Sequence, residues 1–127
     1  MLLCLFDAGH FRKEELREML RLDIGQSMAV REGDVIAVEA VEGTDRMIER
    51  AGQLCASGNW TILKGARIGH DRRSDVPTIG PDTIHNLHQA GGRCIAVAAE
   101  DVIIIDKPQT IALADRLGVA IVGISPT

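Results

Sequence analysis

Apolar and polar positions follow two different periods along the first 41 residues of the chain. Apolar residues recur at helical spacing among charges over residues 11–22, which predicts a short amphipathic helix. Two apolar-rich runs then follow, over residues 27–32 and 35–41, with Gly33 between them. Short apolar runs on either side of such a turn predict a β-hairpin.

A second helix and a short strand are predicted next. Apolar residues recur every three or four positions after Gly43 and Thr44, either of which would cap the helix. A short strand is predicted over Trp60–Lys64, and a polar connection fills residues 65–80. A connection of this length is uncommon in a compact domain unless it has a function.

The last third of the chain repeats the alternation of helix and strand. Pro81 suits the first position of a helix that ends at Gly91. Two apolar runs, over residues 94–98 and 102–105, predict a second hairpin. A last helix, capped by Asp106, precedes a buried strand over residues 119–124.

This interleaving of strands and helices indicates the α/β class. The two predicted hairpins favour a mixed sheet over a purely parallel one. For a chain of 127 residues we expect a single compact domain. It would hold a mixed sheet of about five to six strands and about three to four helices. One Trp, two Phe and no Tyr imply a core of aliphatic side chains.

Composition excludes some classes of function. A net charge of −4 provides no basic surface for a duplex, and scarce aromatic residues argue against single-stranded nucleic acid. The apolar opening stops at Asp7 without a basic start, and no apolar run could cross a bilayer. Cys4, Cys55 and Cys94 form no CxxC pair and predict thiols in a reducing compartment. We expect a cytoplasmic protein, with peripheral membrane contact left open.

The long polar connection concentrates charge of both signs. Five of the ten residues over 64–73 are Lys, Arg or His: Lys64, Arg67, His70, Arg72 and Arg73. Arg and Lys bind phosphate oxygens, while Asp71 and Asp75 could hold a divalent metal or take a proton from water. The charge pattern alone leaves a solvated loop of paired Asp and Arg equally open.

The segment EAVEGTD, residues 39–45, places acids and a helix start directly after a strand. Free N–H groups at a helix start bind anions, but Thr44 and Asp45 also suit ordinary capping, which we favour for the segment alone. Glu39 and Glu42 would lie at the rim of the sheet, where α/β proteins bind ligands. A second helix start, with Thr78 before it, follows the charged connection.

Other candidate sites are weaker. His85 and His88 are three residues apart and could ligate a metal, but no further ligand has a suitable spacing. A polar helix face explains them better. The chain contains no Gly-x-Ser-x-Gly, Walker A or Rossmann glycine pattern.

Three segments in order carry a family resemblance: DIGQS at residues 23–27, VEAVEGTD at 38–45 and DRRSDVPTIGP at 71–81. Together they resemble the C-terminal domain of the bacterial UDP-2,3-diacylglucosamine pyrophosphatases of lipid A synthesis, the LpxI type. The resemblance covers residues 22–127, while residues 1–21 are expected to form a helical segment outside it. The family's N-terminal Rossmann-like domain has no counterpart in this chain, and His70 stands where the family has Gln.

The resemblance implies a hydrolase that splits UDP-2,3-diacylglucosamine into UMP and 2,3-diacylglucosamine 1-phosphate, with a divalent metal, commonly Mg²⁺. It implies that Asp71 or Asp75 is catalytic and that either could bind the metal. The residues expected to contact phosphate or line its pocket are Lys64, Arg72, Arg73, Glu42, Thr44, Asp45 and Thr78. The alternative is a non-catalytic module that retains the fold and either binds nucleotide or sugar phosphate or serves in assembly. Self-association, or association with a further domain, is expected in either case.

Overall fold

A computed structural model describes residues 12–66, 77–98 and 102–124. Its helices are α1 (Lys13–Arg21), α2 (Thr44–Leu54), α3 (Pro81–Ala90) and α4 (Lys107–Leu117). Its strands are β1 (Ser27–Arg31), β2 (Asp34–Val38), β3 (Trp60–Lys64), β4 (Thr78–Ile79), β5 (Gly92–Ala98), β6 (Ile103–Ile104) and β7 (Ala120–Ile124). The predicted α/β class, first hairpin and helices are confirmed, with bounds that shift by one to a few residues.

Five strands form one mixed sheet in the order β2-β1-β3-β5-β7. Strand β1 pairs antiparallel with both β2 and β3, whereas β3, β5 and β7 are parallel. The hairpin therefore adds an antiparallel margin to a parallel centre, which confirms the predicted mixed sheet. Every residue of the central strand β3 is buried, because helices cover both faces of the sheet.

The two faces of the sheet support separate cores. On one face, side chains of α2, α3 and α4 pack against β3 and β5, with Met47, Ile84 and Ile95 fully buried. On the other face, α1 contributes Leu16 and Leu20 to a smaller cluster. Alternate residues of a strand point to opposite faces, so each central strand contributes to both cores. The protein is thus a three-layer α/β/α domain with an aliphatic interior.

The second predicted hairpin is wrong. Strand β6 does not pair with β5 but runs parallel to β4, and together they form a small second sheet. The physical reason is that β5 already has β3 on one side and β7 on the other, so it has no free edge for another strand. Residues 78–79, predicted as part of the polar connection, therefore form a strand.

The cysteines differ from one another. Cys55 is a free, half-buried thiol directly after α2. Cys94 is buried and disulfide-bonded, so the prediction that all three cysteines are thiols is wrong. None of the described helices combines the length and apolar character that crossing a bilayer requires.

Candidate functional site

Three polar residues at the ends of different strands lie at one edge of the five-stranded sheet. Strand β3 ends there with Lys64, and Ser27 begins the antiparallel strand β1 directly opposite it. Glu39 follows the end of β2 at the same edge, because β2 is antiparallel to β1. This is the edge where parallel strands have their carboxyl ends, the usual ligand-binding edge of α/β sheets. The sequence prediction that acids lie at the rim of the sheet holds for Glu39.

Glu39 is the centre of a buried polar cluster. Its side chain is almost completely covered, and the residue is only 7% exposed. Its Oε1 atom accepts hydrogen bonds from Ser27 Oγ at 2.6 Å and from Thr44 Oγ1 at 2.7 Å. Its main-chain N–H donates to the Ser27 carbonyl oxygen at 2.9 Å. One carboxylate therefore connects β1, the end of β2 and the start of α2.

Lys64 provides a buried positive charge beside this cluster. It is 7% exposed, and its Nζ donates to the main-chain carbonyl of Thr78 at 2.8 Å. Burial lowers the pKa of the Lys64 ammonium below its usual value, while the carboxylates of Glu39 and Asp45 act in the opposite direction. Within the described ranges Lys64 has no direct ion pair. The two acids thus act on it through space.

The start of α2 differs from the ordinary capping that we favoured for the segment. Gly43 is the N-cap residue at φ 91°, and no side chain caps the helix. The Thr44 hydroxyl donates to Glu39 instead of occupying the helix N–H groups. The side-chain capping interpretation is therefore wrong for Thr44. Asp45 accepts a hydrogen bond from Asn86 Nδ2 at 3.2 Å, which joins the start of α2 to α3.

Glu42 lies outside the buried cluster. Its carboxylate forms an ion pair with Arg50 on α2, and Arg50 also donates to the Val38 carbonyl at 2.8 Å. The hydrogen bond from Arg50 lowers the pKa of the Glu42 carboxyl. The contacts of Glu42 therefore hold the connection between β2 and α2, and its predicted role in substrate binding stays a prediction.

The Glu42 pair predicts a pH-dependent contribution to stability. Because the pKa of Glu42 in the folded state is lowered from its ordinary 4.5, the pair stabilises the fold above that value. The contribution is lost as the pH falls through the folded-state pKa. We expect Glu42→Gln to have a lower melting temperature than the wild type at pH 7. At strongly acidic pH the two proteins should have the same melting temperature. The measurement is a melting curve at each pH.

Glu49→Gln is the matched control for this pH series, because Glu49 lies on the exposed face of the same helix. It should track the wild type across the whole range. A Glu42→Gln deficit that stays constant down to the lowest pH would show that ionisation of Glu42 does not stabilise the fold.

Thr78, which lies just before the second helix start, contacts the site through Lys64. The described contact of Thr78 uses its carbonyl, which accepts from Lys64, and its side chain is half-buried. At the start of α3, Thr83 Oγ1 accepts from the Gly80 N–H at 3.2 Å. This contact satisfies the N–H group of the N-cap residue, as in a capping box. The predicted role of Thr78 in binding phosphate stays a prediction.

The charged part of the polar connection lies outside the described residues. It comprises residues 67–76 and includes the predicted catalytic and phosphate-binding residues Asp71, Arg72, Arg73 and Asp75, together with Arg67 and His70. The chain enters this segment after Ala66, close to Lys64, and leaves it before Pro77, next to Thr78. The two described ends of the segment are joined through the hydrogen bond between Lys64 and Thr78.

Metal ligands are not assembled in the described part of the chain. Across residues 12–66, 77–98 and 102–124, no three His, Cys, Asp or Glu side chains come close enough to hold a metal ion. His85 and His88 are both exposed on α3, in agreement with a polar helix face. Metal binding through Asp71 and Asp75 stays a prediction.

Two members of the site were missed or undervalued at the level of sequence. Ser27 was included only as the last residue of the DIGQS motif and was given no role, because a serine at the start of an apolar strand is common. Glu39 was noticed as an acid at the sheet rim, but not as the acceptor for two hydroxyls twelve and five residues away. Only the pairing of β1 with β2 brings Ser27 and Glu39 together. The register between two paired strands cannot be predicted from the spacing of neighbouring residues in the sequence.

Comparisons with known proteins agree with the motif resemblance. A family model of the LpxI C-terminal domain matches residues 9–122. The UDP-2,3-diacylglucosamine pyrophosphatase LpxI of Caulobacter vibrioides is 39% identical over 117 residues, which covers 87% of this chain and 42% of that protein. The chain thus spans less than half the length of this curated relative.

A comparison with solved structures concerns the architecture of the domain. The dCMP deaminase of the cyanophage S-TIM5, in apo form, matches with a TM-score of 0.50 and 14% identity, over 88% of this chain and 96% of that one. A likeness at this identity concerns the fold alone. The family assignment comes from the sequence matches: the chain belongs to the family of LpxI C-terminal domains.

Proposed function

We propose that this chain is the catalytic part of a UDP-2,3-diacylglucosamine pyrophosphatase, which produces UMP and 2,3-diacylglucosamine 1-phosphate. The observation that carries the proposal is the 39% identity to the Caulobacter enzyme of that name along 87% of this chain. In the reaction, the oxygen of water bonds to one phosphorus and the bridging P–O bond breaks. The bridging oxygen leaves with the other phosphate, and the proton that water loses passes to solvent.

The described site supports this chemistry in two respects. Pyrophosphate carries negative charge that must be neutralised while the bond breaks, and Lys64 is a buried cation at the ligand-binding edge. Hydrolysis is also accelerated by a general base near the reacting water, for which a carboxylate is suited, and Asp71 and Asp75 belong to the segment that begins and ends beside Lys64. In this proposal Arg72 and Arg73 contact the phosphates.

We propose a divalent cation, Mg²⁺ in the first instance, as the cofactor. The described residues alone do not provide a set of ligands for it. Asp71 and Asp75 would have to hold it, and their carboxylate oxygens are the ligands that Mg²⁺ prefers. When bound, the ion would neutralise phosphate charge and lower the pKa of a coordinated water.

A second candidate is a module that binds nucleotide or sugar phosphate without cleaving it. The fact in its favour is that the matched region corresponds to 42% of the length of the relative that is named as an enzyme. A further domain or a second copy of the chain would complete the cleft. A cytoplasmic location with peripheral membrane contact fits either candidate and stays a prediction.

The test is the release of UMP from UDP-2,3-diacylglucosamine with Mg²⁺ by the wild type, Asp71→Asn and Asp75→Asn. We expect the wild type to release UMP and at least one variant to lose about tenfold or more, because general-base residues contribute at least that much. A repeat in ¹⁸O-labelled water should place the label in one of the two products. A repeat with excess EDTA tests the cation.

The variant His85→Asn is the matched control, since it changes a polar side chain on the exposed face of α3. Equal turnover by the wild type and both Asp variants would overturn the assignment of the acids. Binding of UMP without any release would favour the non-catalytic module.

A further inference from the structure

One oxygen of a buried carboxylate accepts hydrogen bonds from two hydroxyl groups of the candidate site. Ser27 and Thr44 come from different elements, yet both donate to Oε1 of Glu39. An ionised carboxylate has only acceptors, so each hydroxyl must point its hydrogen at Glu39. The hydroxyl hydrogen of Thr44 is therefore committed to Glu39. Among the described residues, Lys64 is a buried cation of the same site that can donate to a phosphate oxygen.

Strand register places Lys64 opposite Ser27, whose hydroxyl donates to this carboxylate. Ser27 and Lys64 are direct partners in the antiparallel pairing of β1 and β3, so their side chains lie on the same face of the sheet. Thr44 and Asp45, at the start of α2, cover that same face. The hydrogen bond to the Thr78 carbonyl also holds the amine. The charge of Lys64 is thus stabilised by one carbonyl acceptor and by two acids that act through space.

We propose that Glu39 is a positioning residue. It keeps the Lys64 amine charged, and it keeps that amine where it can bind one phosphate group of the substrate. The inference rests on the proposed function for the identity of that phosphate. It assigns no contact between Glu39 and the substrate. Glu39 acts through Lys64 and through the orientation of Thr44.

The physical reason is the cost of burying an amine. An ammonium removed from water loses its proton more easily, and burial does lower the pKa of Lys64. A neutral amine would not attract phosphate. Glu39 and Asp45 favour the charged form, and of these two Glu39 is the buried one. Without Glu39, Lys64 would be more easily neutralised and less well held.

The test asks whether removing the charge of Glu39 strengthens or weakens the binding of an anion. If Glu39 were only a nearby negative charge, Glu39→Gln would strengthen the binding of an anion, because it removes repulsion. If Glu39 positions Lys64, the same change should weaken the binding. We expect Glu39→Gln to weaken the binding of UMP and of inorganic pyrophosphate about tenfold, the effect of one charge-assisted hydrogen bond. Titration calorimetry at fixed salt measures both ligands.

Two further variants separate positioning from folding. Glu18→Gln removes an equal charge from an exposed ion pair on α1 and should bind both ligands as the wild type does. Thr44→Val keeps the charge of Glu39 but removes one of its hydrogen bonds, and it should weaken binding in the same direction by a smaller factor. If Glu39→Gln fails to fold, Thr44→Val decides the question.

A measurement without ligand keeps this inference separable from the proposed function. The side-chain NMR signals of Lys64, assigned with Lys64→Met, should titrate at lower pH in Glu39→Gln than in the wild type. If UMP release fails in the wild type but this shift occurs, the proposed function fails and the role of Glu39 stands. Tighter anion binding by Glu39→Gln, or an unchanged Lys64 titration, would overturn the inference.

Discussion

Lys64→Met should weaken pyrophosphate binding by about 100-fold and reduce UMP release to the same extent, without lowering the melting temperature. About 100-fold corresponds to roughly 2.7 kcal/mol, which is the range of a hydrogen bond to a charged group. Lys64 is 7% exposed, and methionine fills a similar unbranched space. Removing a buried charge also removes its desolvation cost, which offsets the lost bond to the Thr78 carbonyl.

The combination of lost binding and retained stability is what distinguishes a functional lysine from a structural one. Lys107→Met is the matched control, because Lys107 begins α4 on the exposed surface. It should leave both binding and melting unchanged. A Lys64→Met protein that binds pyrophosphate like the wild type would remove Lys64 from the site. One that melts far below the wild type would assign it to the fold instead.

Local patterns predicted the elements around the site because those elements are determined locally. The run Trp60–Lys64 was predicted as a strand and forms β3. All five positions are buried, and burial along a whole strand favours a mostly apolar run that can be recognised in the sequence. The helix start at Thr44 was also predicted, from the glycine before it and the apolar period after it. The motifs therefore identified where ligand-binding residues should cluster.

Pairing between distant residues could not be predicted in the same way. Strands β4 and β6 contain two residues each, and a run of two residues is too short to show a strand pattern in the sequence. The position of β6 depends on β5 having neighbours on both sides, which is a property of the whole sheet. The link between Ser27 and Glu39 likewise depends on register. The position of β6 and the contact between Ser27 and Glu39 both depend on pairing between residues far apart in sequence. The spacing of residues along the chain does not reveal such pairing.

Gly25→Ala should be the most destabilising single-methyl change near the site. A Cβ at residue 25 would overlap the carbonyl oxygen of Glu39 and lie 2.8 Å from its carbonyl carbon. Both atoms belong to the main chain, which cannot rotate away as a side chain could. We expect a loss of about 3 kcal/mol, the upper range for overpacking, and a fall in melting temperature of about 10 °C.

The same change should also weaken the site, because the displaced residue is Glu39. Its N–H donates to the Ser27 carbonyl and its carboxylate holds two hydroxyls, so a main-chain shift disturbs all three bonds. We expect the folded Gly25→Ala protein to bind pyrophosphate more weakly than the wild type, in the direction of Glu39→Gln. Calorimetry below the melting transition measures this.

Gly80→Ala provides the control, because it adds the same methyl group where there is room. Gly80 has an extended backbone at φ −155°, and the nearest atom to its added Cβ is Ile105 Cβ at 3.5 Å, an ordinary contact. We expect a change below about 1 kcal/mol at this position. Equal melting temperatures for the two variants would mean that residue 25 does not need its close approach to Glu39. If only Gly25→Ala loses both stability and binding, the site depends on a carboxylate held in place by the main chain beside it.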